Sequence, residues 1–315
     1  MSERTVIDAT AERLGGRAGR DAPLGALTTY RVGGPAALLV RIDDDDDLRA
    51  VAAAVAATGI DVVVVGKGSN LLVADTGFPG LAIVLGDAFA GIEVEDTDVV
   101  AGAGAALPVV ARRSVSAGLA GFEWAVGVPG SIGGAVRMNA GGHGSDMAAV
   151  LARVRVADLH SGEDGWVPAS RLDLGYRRSA VLPHHVVLAA RLHLTPGDVE
   201  RGTADLAEIV AWRRTNQPGG PNAGSVFTNP PGDSAGRLID AAGGKGRRHG
   251  SAVVSSKHAN FIQADDGGRA ADVVALMGEL QELVWERAGV HLHAETRLVG
   301  FDAEGPLDPR PEVEG

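Results

Sequence analysis

The 315-residue chain has no cysteine, which excludes disulfides, thiolate metal sites and a cysteine nucleophile. Lysine is nearly absent too: Lys67, Lys245 and Lys257 are the only ones. Arginine therefore carries almost all the positive charge. Together with the abundance of alanine, that is a mark of base composition and carries no functional information. Aromatic residues make up 4% of the chain, too few for a base-stacking platform. A net charge of -11 gives the wrong field for a nucleic-acid backbone or an anionic membrane surface. An anionic ligand would need a local pocket of arginine or backbone N–H groups. Long apolar runs are also lacking. The longest, residues 51–65, is broken by Gly59 and Asp61 and is too short to span a bilayer. The N-terminus MSERTVIDAT has no signal-peptide core. These absences predict a cytoplasmic protein with neither a nucleic-acid nor a membrane partner, long enough for two or three subdomains.

Glycine, by contrast, is abundant, with 45 residues. The stretch WAVGVPGSIGGAVRMNAGGHGSD (124–146) holds Gly127, Gly130, Gly133, Gly134, Gly141, Gly142 and Gly144. Bare backbone costs conformational entropy, so such a cluster implies positive φ, a ligand that touches the main chain, or a flexible loop. A second cluster, GKGSNL (66–71), follows the strand-like DVVVV. It is not a Rossmann fingerprint, because Leu71 stands where the third glycine belongs and Gly77 and Pro79 would cut the helix. GAGAAL (102–107) fails in the same way, and no Walker A sequence occurs. Gly66, Gly68, Ser69 and Asn70 still offer the N–H and hydroxyl donors of an anion cradle.

Periodicity places strands at 36–42, 61–65, 81–85, 91–95, 98–104, 150–158 and 185–194. It places helices at 48–58, 107–117, 199–215, 234–242 and 270–288, and further strands near 253–264 and 291–299. The acid run Asp43–Asp47 supplies an N-cap and first-turn charge for the helix that Gly59 closes. HSGEDG (160–165) reads as a hairpin turn. Helices and strands alternate without a βαβ series, giving an α+β class. The change of pattern at TPGD (195–198) marks a domain boundary, with domains at 1–197 (subdomains about 20–80 and 81–197) and 198–302. The Pro- and Glu-rich residues 303–315 have the composition of a disordered tail.

HLHAE (291–295) is the sharpest metal lure: on a strand, His291, His293 and Glu295 would share a face. A solvated edge is the commoner outcome for so short a motif. His184 and His185 would point to opposite faces, and His143, His249 and His258 stand alone. The sequence predicts no metal.

YRRS (176–179) and NAGSVFTNP (222–230) are ordinary by composition, yet they occur in order with other segments. TTYRVGGPA (28–36), GKGSNLLVAD (66–75), EWAVGVPGSIGGAVRMNAG (123–141), AGRLIDAAGGKG (235–246), VSSKHANFI (254–262) and AETRLVGF (294–301) complete the series. In this order, over about residues 25–301, the chain resembles the UDP-N-acetylenolpyruvoylglucosamine reductase family (MurB). The resemblance implies a two-part FAD-binding fold of the vanillyl-alcohol oxidase (PCMH) type, followed by a smaller α+β substrate-binding domain. It also implies non-covalent FAD, NADPH as co-substrate, and reduction of an enolpyruvyl ether of UDP-N-acetylglucosamine to UDP-N-acetylmuramate. Hydride then goes from the flavin to the vinyl methylene and a proton to the α-carbon, in a monomeric enzyme of peptidoglycan precursor synthesis.

By the same resemblance, the FAD pyrophosphate lies against Gly66, Lys67, Gly68, Ser69, Asn70 and Leu71. It also lies against Gly127, Val128, Pro129, Gly130, Ser131, Gly133, Gly134 and Ala135, with further contacts at Asn139 and Gly141. Ser225 is implied as the proton donor, Arg177 and Glu295 as carboxylate-side partners, and Tyr176, Asn229 and Arg248 as substrate contacts. The planar fork of arginine suits a carboxylate, and hydrogen-bonding help is what a growing aci-carboxylate requires. Three departures from the family pattern stand out. His143 replaces an aromatic residue. Asn216 replaces a lysine, for which Arg213, Arg214 or Arg248 would compensate. The segment 176–217 is short, as in the subgroup without the extra tyrosine-bearing loop. The alternatives are another flavoenzyme of the same fold or a non-catalytic flavin- or sugar-nucleotide-binding protein.

Overall fold

Asp44 caps the helix Asp45–Thr58, its carboxylate accepting the N–H groups of Asp46 and Asp47, and Gly59 closes the helix in the left-handed region. Asp45, Asp46 and Asp47 place negative charge in the first turn, where the helix dipole favours it. The buried stripe Leu48, Val51, Ala52, Ala54 and Val55 shows why the acids stay at one end, since the apolar face has somewhere to go. This is a computed structural model, and it describes residues 2–301; the tail expected at 303–315 lies outside the described residues.

Contacts divide the chain into two units, and neither is continuous in sequence. The first comprises Met1–Ala22, Ala36–Lys67 and Pro79–Arg213; the second comprises Pro23–Pro35, Gly68–Phe78 and the chain from Arg214 on. The C-terminal division thus falls at Arg213/Arg214, past the change of pattern at 195–198. Thr195 and Pro196 pair with Ala120 and Leu119. The helix Val199–Asn216 buries Leu206 in the first unit's core, and a Cβ on Gly202 would press on Val115 at 2.8 Å. Those contacts hold the helix to the first unit.

In the first unit, a four-stranded sheet runs in the order Ala18–Ala22, Ala36–Ile42, Phe78–Leu85, Val62–Val65. Its last pair is parallel, with Val65 opposite Val84. A five-stranded antiparallel sheet follows the order Asp164–Pro168, Leu151–Asp158, His185–His193, Asp98–Gly102, Ile92–Glu95. The helix Asp45–Thr58 shares a core with the first sheet, with Ala157, Val186 and Leu188 of the second, and with Leu159 in the turn that follows. The other face of the second sheet carries Trp124, Ile132, Val136 and the helix Leu107–Ser116. The N-terminal helix Glu3–Leu14, capped by Ser2, was not legible from periodicity.

The second unit sets the helices Ala235–Ala241 and Ala270–Ala288 around a core of Phe227, Ile239, Met277 and Leu280. Small strands surround them: Arg248–His249, Ala252–Val254 and Ile262–Ala264 form one sheet, and Leu71–Val73 pairs in parallel with Arg297–Val299. Two expectations shorten here. The strand foreseen near 253–264 is two strands separated by Ser255–Phe261, and that foreseen at 291–299 is confined to Arg297–Val299.

Candidate functional site

At the C-terminal end of Val62–Val65 the chain enters residues 66–70. Among the described residues, none of the N–H groups of Gly66, Lys67, Gly68, Ser69 and Asn70 donates to a protein acceptor. The carbonyls of Gly68 and Asn70, by contrast, are used, accepting from Thr29 and Arg297 at 3.0 Å each. Gly68 has φ 63°, and a Cβ there would overlap the Leu27 carbonyl. Backbone donors are thus presented in series by a segment whose other side is anchored.

The second glycine stretch divides by duty. Ser131 caps the helix Ile132–Met138, and a Cβ on Gly66 would run into its hydroxyl, so Gly66 and Ser131, both of the first unit, adjoin. The N–H groups of Ile132 and Gly133 are spent on the carbonyls of Ala105 and Ala103, at 3.0 and 2.9 Å. A Cβ on Gly133 would stand 3.0 Å from that of Ala103, so this glycine serves packing. Gly134 differs: a Cβ there would meet only Ser131 Oγ, at 3.7 Å. Gly141 sits in a tight hairpin, where a Cβ would press on Asp146 and the Ser145 carbonyl at 2.5 Å. Side chains are few here and N–H donors many, which fits a dinucleotide pyrophosphate approached through the main chain.

Asn139 has a duty that the sequence did not reveal. Its amide donates to Asp146 and to the Gly175 carbonyl at 3.1 and 3.0 Å, and its oxygen accepts the Ala148 N–H at 2.9 Å. The whole side chain is committed to the fold, so the expected cofactor contact at Asn139 falls away as a side-chain contact. Arg213 is a residue that sequence reasoning left without a position. Its guanidinium donates to the Gly127 carbonyl, and burial lowers its pKa. A Cβ on Gly127 would meet Ile209 at 2.9 Å and His143 at 3.2 Å, and His143 packs edge-on against Trp212 at 5.1 Å. One face of the helix Val199–Asn216 therefore braces the loop at Gly127.

Tyr176 and Arg177 occupy a turn closed by paired bonds between Gly175 and Arg178. Arg177 takes φ 56°, a conformation that costs a non-glycine residue energy and that surrounding structure must hold. Its guanidinium reaches the Gly141 carbonyl at 3.3 Å and lies 5.0 Å from the Tyr176 ring centre.

The second unit holds a cavity of about 400 Å³ lined by Ser225, Asn229, Ser234, Arg237, Asp240, Lys245, Lys257, His258 and Asn260, among others. Gly224, at φ 76°, turns the chain into Ser225. Val226 then accepts the Glu295 N–H at 2.8 Å, so the main chain at Glu295 is joined to the residue after Ser225. Asn70 ties the same place down through its amide, 3.1 Å from the Glu295 carbonyl. Asn229 lines the cavity and accepts the Ala235 N–H at 3.1 Å.

The cavity's cations are not equally committed. Arg237 is paired with Asp233, which it helps pull down to about 2, and Lys245 is paired with Asp240 at 2.7 Å. Among the described residues, Lys257 Nζ bonds only a neutral group, the Arg214 carbonyl, at 3.1 Å. Burial and the charge of Lys245 lower the pKa of His258. Its Nδ1 accepts the Asn260 N–H at 3.2 Å, which leaves Nε2 as the protonated nitrogen of the neutral ring. Arg237, Lys245, Lys257 and His258 were missed as site residues, although two of the segments singled out in the sequence contain them. Arg248, expected as a substrate contact, is absent from the lining. It belongs to the strand Arg248–His249 and is held by Asp265 at 2.6 Å, which raises its pKa.

The HLHAE lure does not converge. Residues 291–296 form no strand, His291 stacks on Trp285 at 3.9 Å, and Leu292 between the histidines is buried. The one group of metal-ligating side chains brought together among the described residues is Asp158, His160 and His184, which the sequence did not single out.

Two family models match the chain. A model described as the C-terminal domain of UDP-N-acetylenolpyruvoylglucosamine reductase covers residues 215–299, and one described as an FAD binding domain covers 36–163. A UDP-N-acetylenolpyruvoylglucosamine reductase of Anaeromyxobacter dehalogenans is 42% identical over 312 residues, covering 99% of this chain and 93% of the relative. One of Rubrobacter xylanophilus is 41% identical over 295 residues, covering 93% and 99%. Among solved structures, the crystal structure of the reductase from Thermus caldophilus matches with a TM-score of 0.78 at 37% identity, covering 90% of this chain and 99% of that one.

Proposed function

The chain belongs to the UDP-N-acetylenolpyruvoylglucosamine reductase family, and from that membership we propose how its own residues divide the work. It is an FAD-containing oxidoreductase that uses NADPH to reduce enolpyruvyl-UDP-N-acetylglucosamine to UDP-N-acetylmuramate. Bound FAD supplies the hydride chemistry. The N–H groups from Gly66 to Asn70, with those of Gly130 and Ser131, hold its pyrophosphate through the main chain; Gly134, whose own N–H goes to Ser131 Oγ at 3.5 Å, leaves the space beside them bare, and Arg213 keeps the Gly127 loop in place.

On the substrate side, the Ser225 hydroxyl delivers the proton to the α-carbon, and Arg177 binds the carboxylate. Glu295, whose N–H is bonded to the carbonyl of the residue after Ser225, orients the serine or a water. Lys257 is the cavity cation placed to meet substrate phosphate, and His258 Nε2–H is a neutral donor next to it in the sequence. The observation that carries this reading is Ser225 itself, opening onto a polar, cation-bearing cavity with Glu295 bonded to the next residue.

Among the described residues no helix is long and apolar enough to cross a membrane. A cytoplasmic location and a monomeric state belong to the proposal; gel filtration tests the latter. The deciding experiment is NADPH oxidation with enolpyruvyl-UDP-N-acetylglucosamine set against simple alcohols with oxygen. Turnover with the sugar nucleotide alone is expected. Oxygen-dependent turnover of alcohols would assign the chain a different flavin chemistry.

A further inference from the structure

The turn that links Leu151–Asp158 to Asp164–Pro168 gathers ligand-bearing side chains to which the proposed reaction gives no role. Asp158 ends its strand opposite His185 in the ladder. Leu159 is fully buried and its N–H bonds the His184 carbonyl at 3.0 Å, pinning the turn to that residue. Asp158 Oδ1 accepts the N–H groups of His160 and Ser161 at 2.8 and 3.4 Å, which holds the carboxylate over the turn.

The two histidines close on it. The rings of His160 and His184 stack at 3.9 Å and 11°, and His184 Nε2 stands 3.8 Å from Asp158 Oδ1. The ligand atoms of Asp158, His160 and His184 all lie within 4.8 Å of one another. His185 Nε2 is 3.9 Å from Asp158 Oδ2, while its Nδ1 is taken up by the Leu182 N–H at 3.2 Å.

A network of ordinary hydrogen bonds does not account for this arrangement, because 3.8 and 3.9 Å exceed hydrogen-bond length. Three nitrogen and oxygen ligand atoms lie together without bonding each other, and the His160 ring must leave its stack on His184 for all three to face one ion. In a tetrahedral zinc site each ligand atom lies about 2 Å from the ion, hence about 3.3 Å from its neighbours. Closing from the present spacing takes a rotamer adjustment of His160, which is exposed, toward Asp158 and His184, which are already held. Two imidazoles and a carboxylate are the donor set of zinc, nickel, copper or iron; magnesium and calcium want oxygen alone. We infer that Asp158, His160 and His184 form a binding site for a divalent transition-metal ion, clamping the 159–163 turn to the start of the strand His185–His193.

Calorimetry with Zn2+ on the flavin-loaded, untagged protein tests this, with Co2+ absorption as a second probe of coordination. The expected result is one ion per chain and a visible Co2+ band of tetrahedral type. His160→Ala is the main variant, because its side chain lies in an exposed turn and its loss spares the fold. Losing even an outer-shell partner costs ~10–100-fold in metal affinity, so removing a ligand should weaken Zn2+ binding at least that much. His184→Ala should do the same, and the pair should abolish the Co2+ band. Replacing His291 and His293 together by Ala should leave both signals unchanged. Absence of a stoichiometric site, or its survival in the paired His160/His184 variant, would overturn the inference.

Discussion

Gly134→Ala separates a glycine kept bare for a ligand from one kept bare for packing. The added Cβ meets only Ser131 Oγ, at an ordinary van der Waals 3.7 Å, and Gly134 lies inside the helix Ile132–Met138. Replacing a helical glycine by alanine stabilises by up to ~1 kcal/mol, so the flavin-free variant should melt no lower than its parent. Flavin affinity should move the other way. If a phosphate oxygen approaches the main chain here, the methyl group displaces a charge-assisted hydrogen bond worth ~1.5–3 kcal/mol. That corresponds to about 10- to 150-fold in the Kd for FAD.

Gly133→Ala is the internal control. Its Cβ would stand 3.0 Å from that of Ala103, an overpacked contact that costs ~1–3 kcal/mol, so this variant should lose Tm before it loses flavin. The assay is fluorescence titration of the apo-protein with FAD, beside calorimetric melting of the same samples. Parental affinity in Gly134→Ala would refute the placement of the pyrophosphate at this helix start, and an unchanged Tm in Gly133→Ala would refute the packing argument.

Ser225→Ala should leave flavin reduction by NADPH near the parental rate and slow reoxidation by the enolpyruvyl substrate by ~10²–10⁴-fold, the usual worth of a general acid. Stopped-flow flavin absorbance reads both steps, and equal slowing would make the serine a structural residue instead. Lys257→Met should raise the KM for the sugar nucleotide more than it lowers kcat, since among the described residues this cation bonds the neutral Arg214 carbonyl and no carboxylate. An unchanged KM would remove it from the phosphate site. Asp233 is drawn to about 2 chiefly by its hydrogen bond from Arg237, below the ordinary carboxylate value. The stability it contributes is therefore present above about pH 4 and lost as the pH falls toward 2. Arg237→Gln should separate from the parent in denaturant midpoint at neutral pH and converge with it in acid; a constant gap would mean that Asp233 is not the titrating partner.

The sequence disclosed elements wherever one residue both starts and explains a local structure. Asp44 and Gly59 bound a helix whose stripe of valine and alanine leaves no other reading. It disclosed the family through the order of its segments, because any one of them would be an unremarkable loop. What it hid depends on neighbours brought from far away. TPGD looks like a boundary until Pro196 is seen paired with Leu119, 77 positions earlier.

Gly133 and Gly134 are alike in one dimension, yet Ala103 approaches one and leaves the other open. The family resemblance implies a cofactor contact at Asn139, but Asp146, Gly175 and Ala148 engage its side-chain amide. His160 and His184 are 24 residues apart and lie on no common periodic face, so only the ladder between Asp158 and His185 reveals them as partners. The same holds for Glu295, which a backbone bond joins to Val226, the residue after Ser225. Motif order can therefore say which chemistry a chain performs, while the assignment of an atom to ligand, packing or cap waits on the one contact that competes for it.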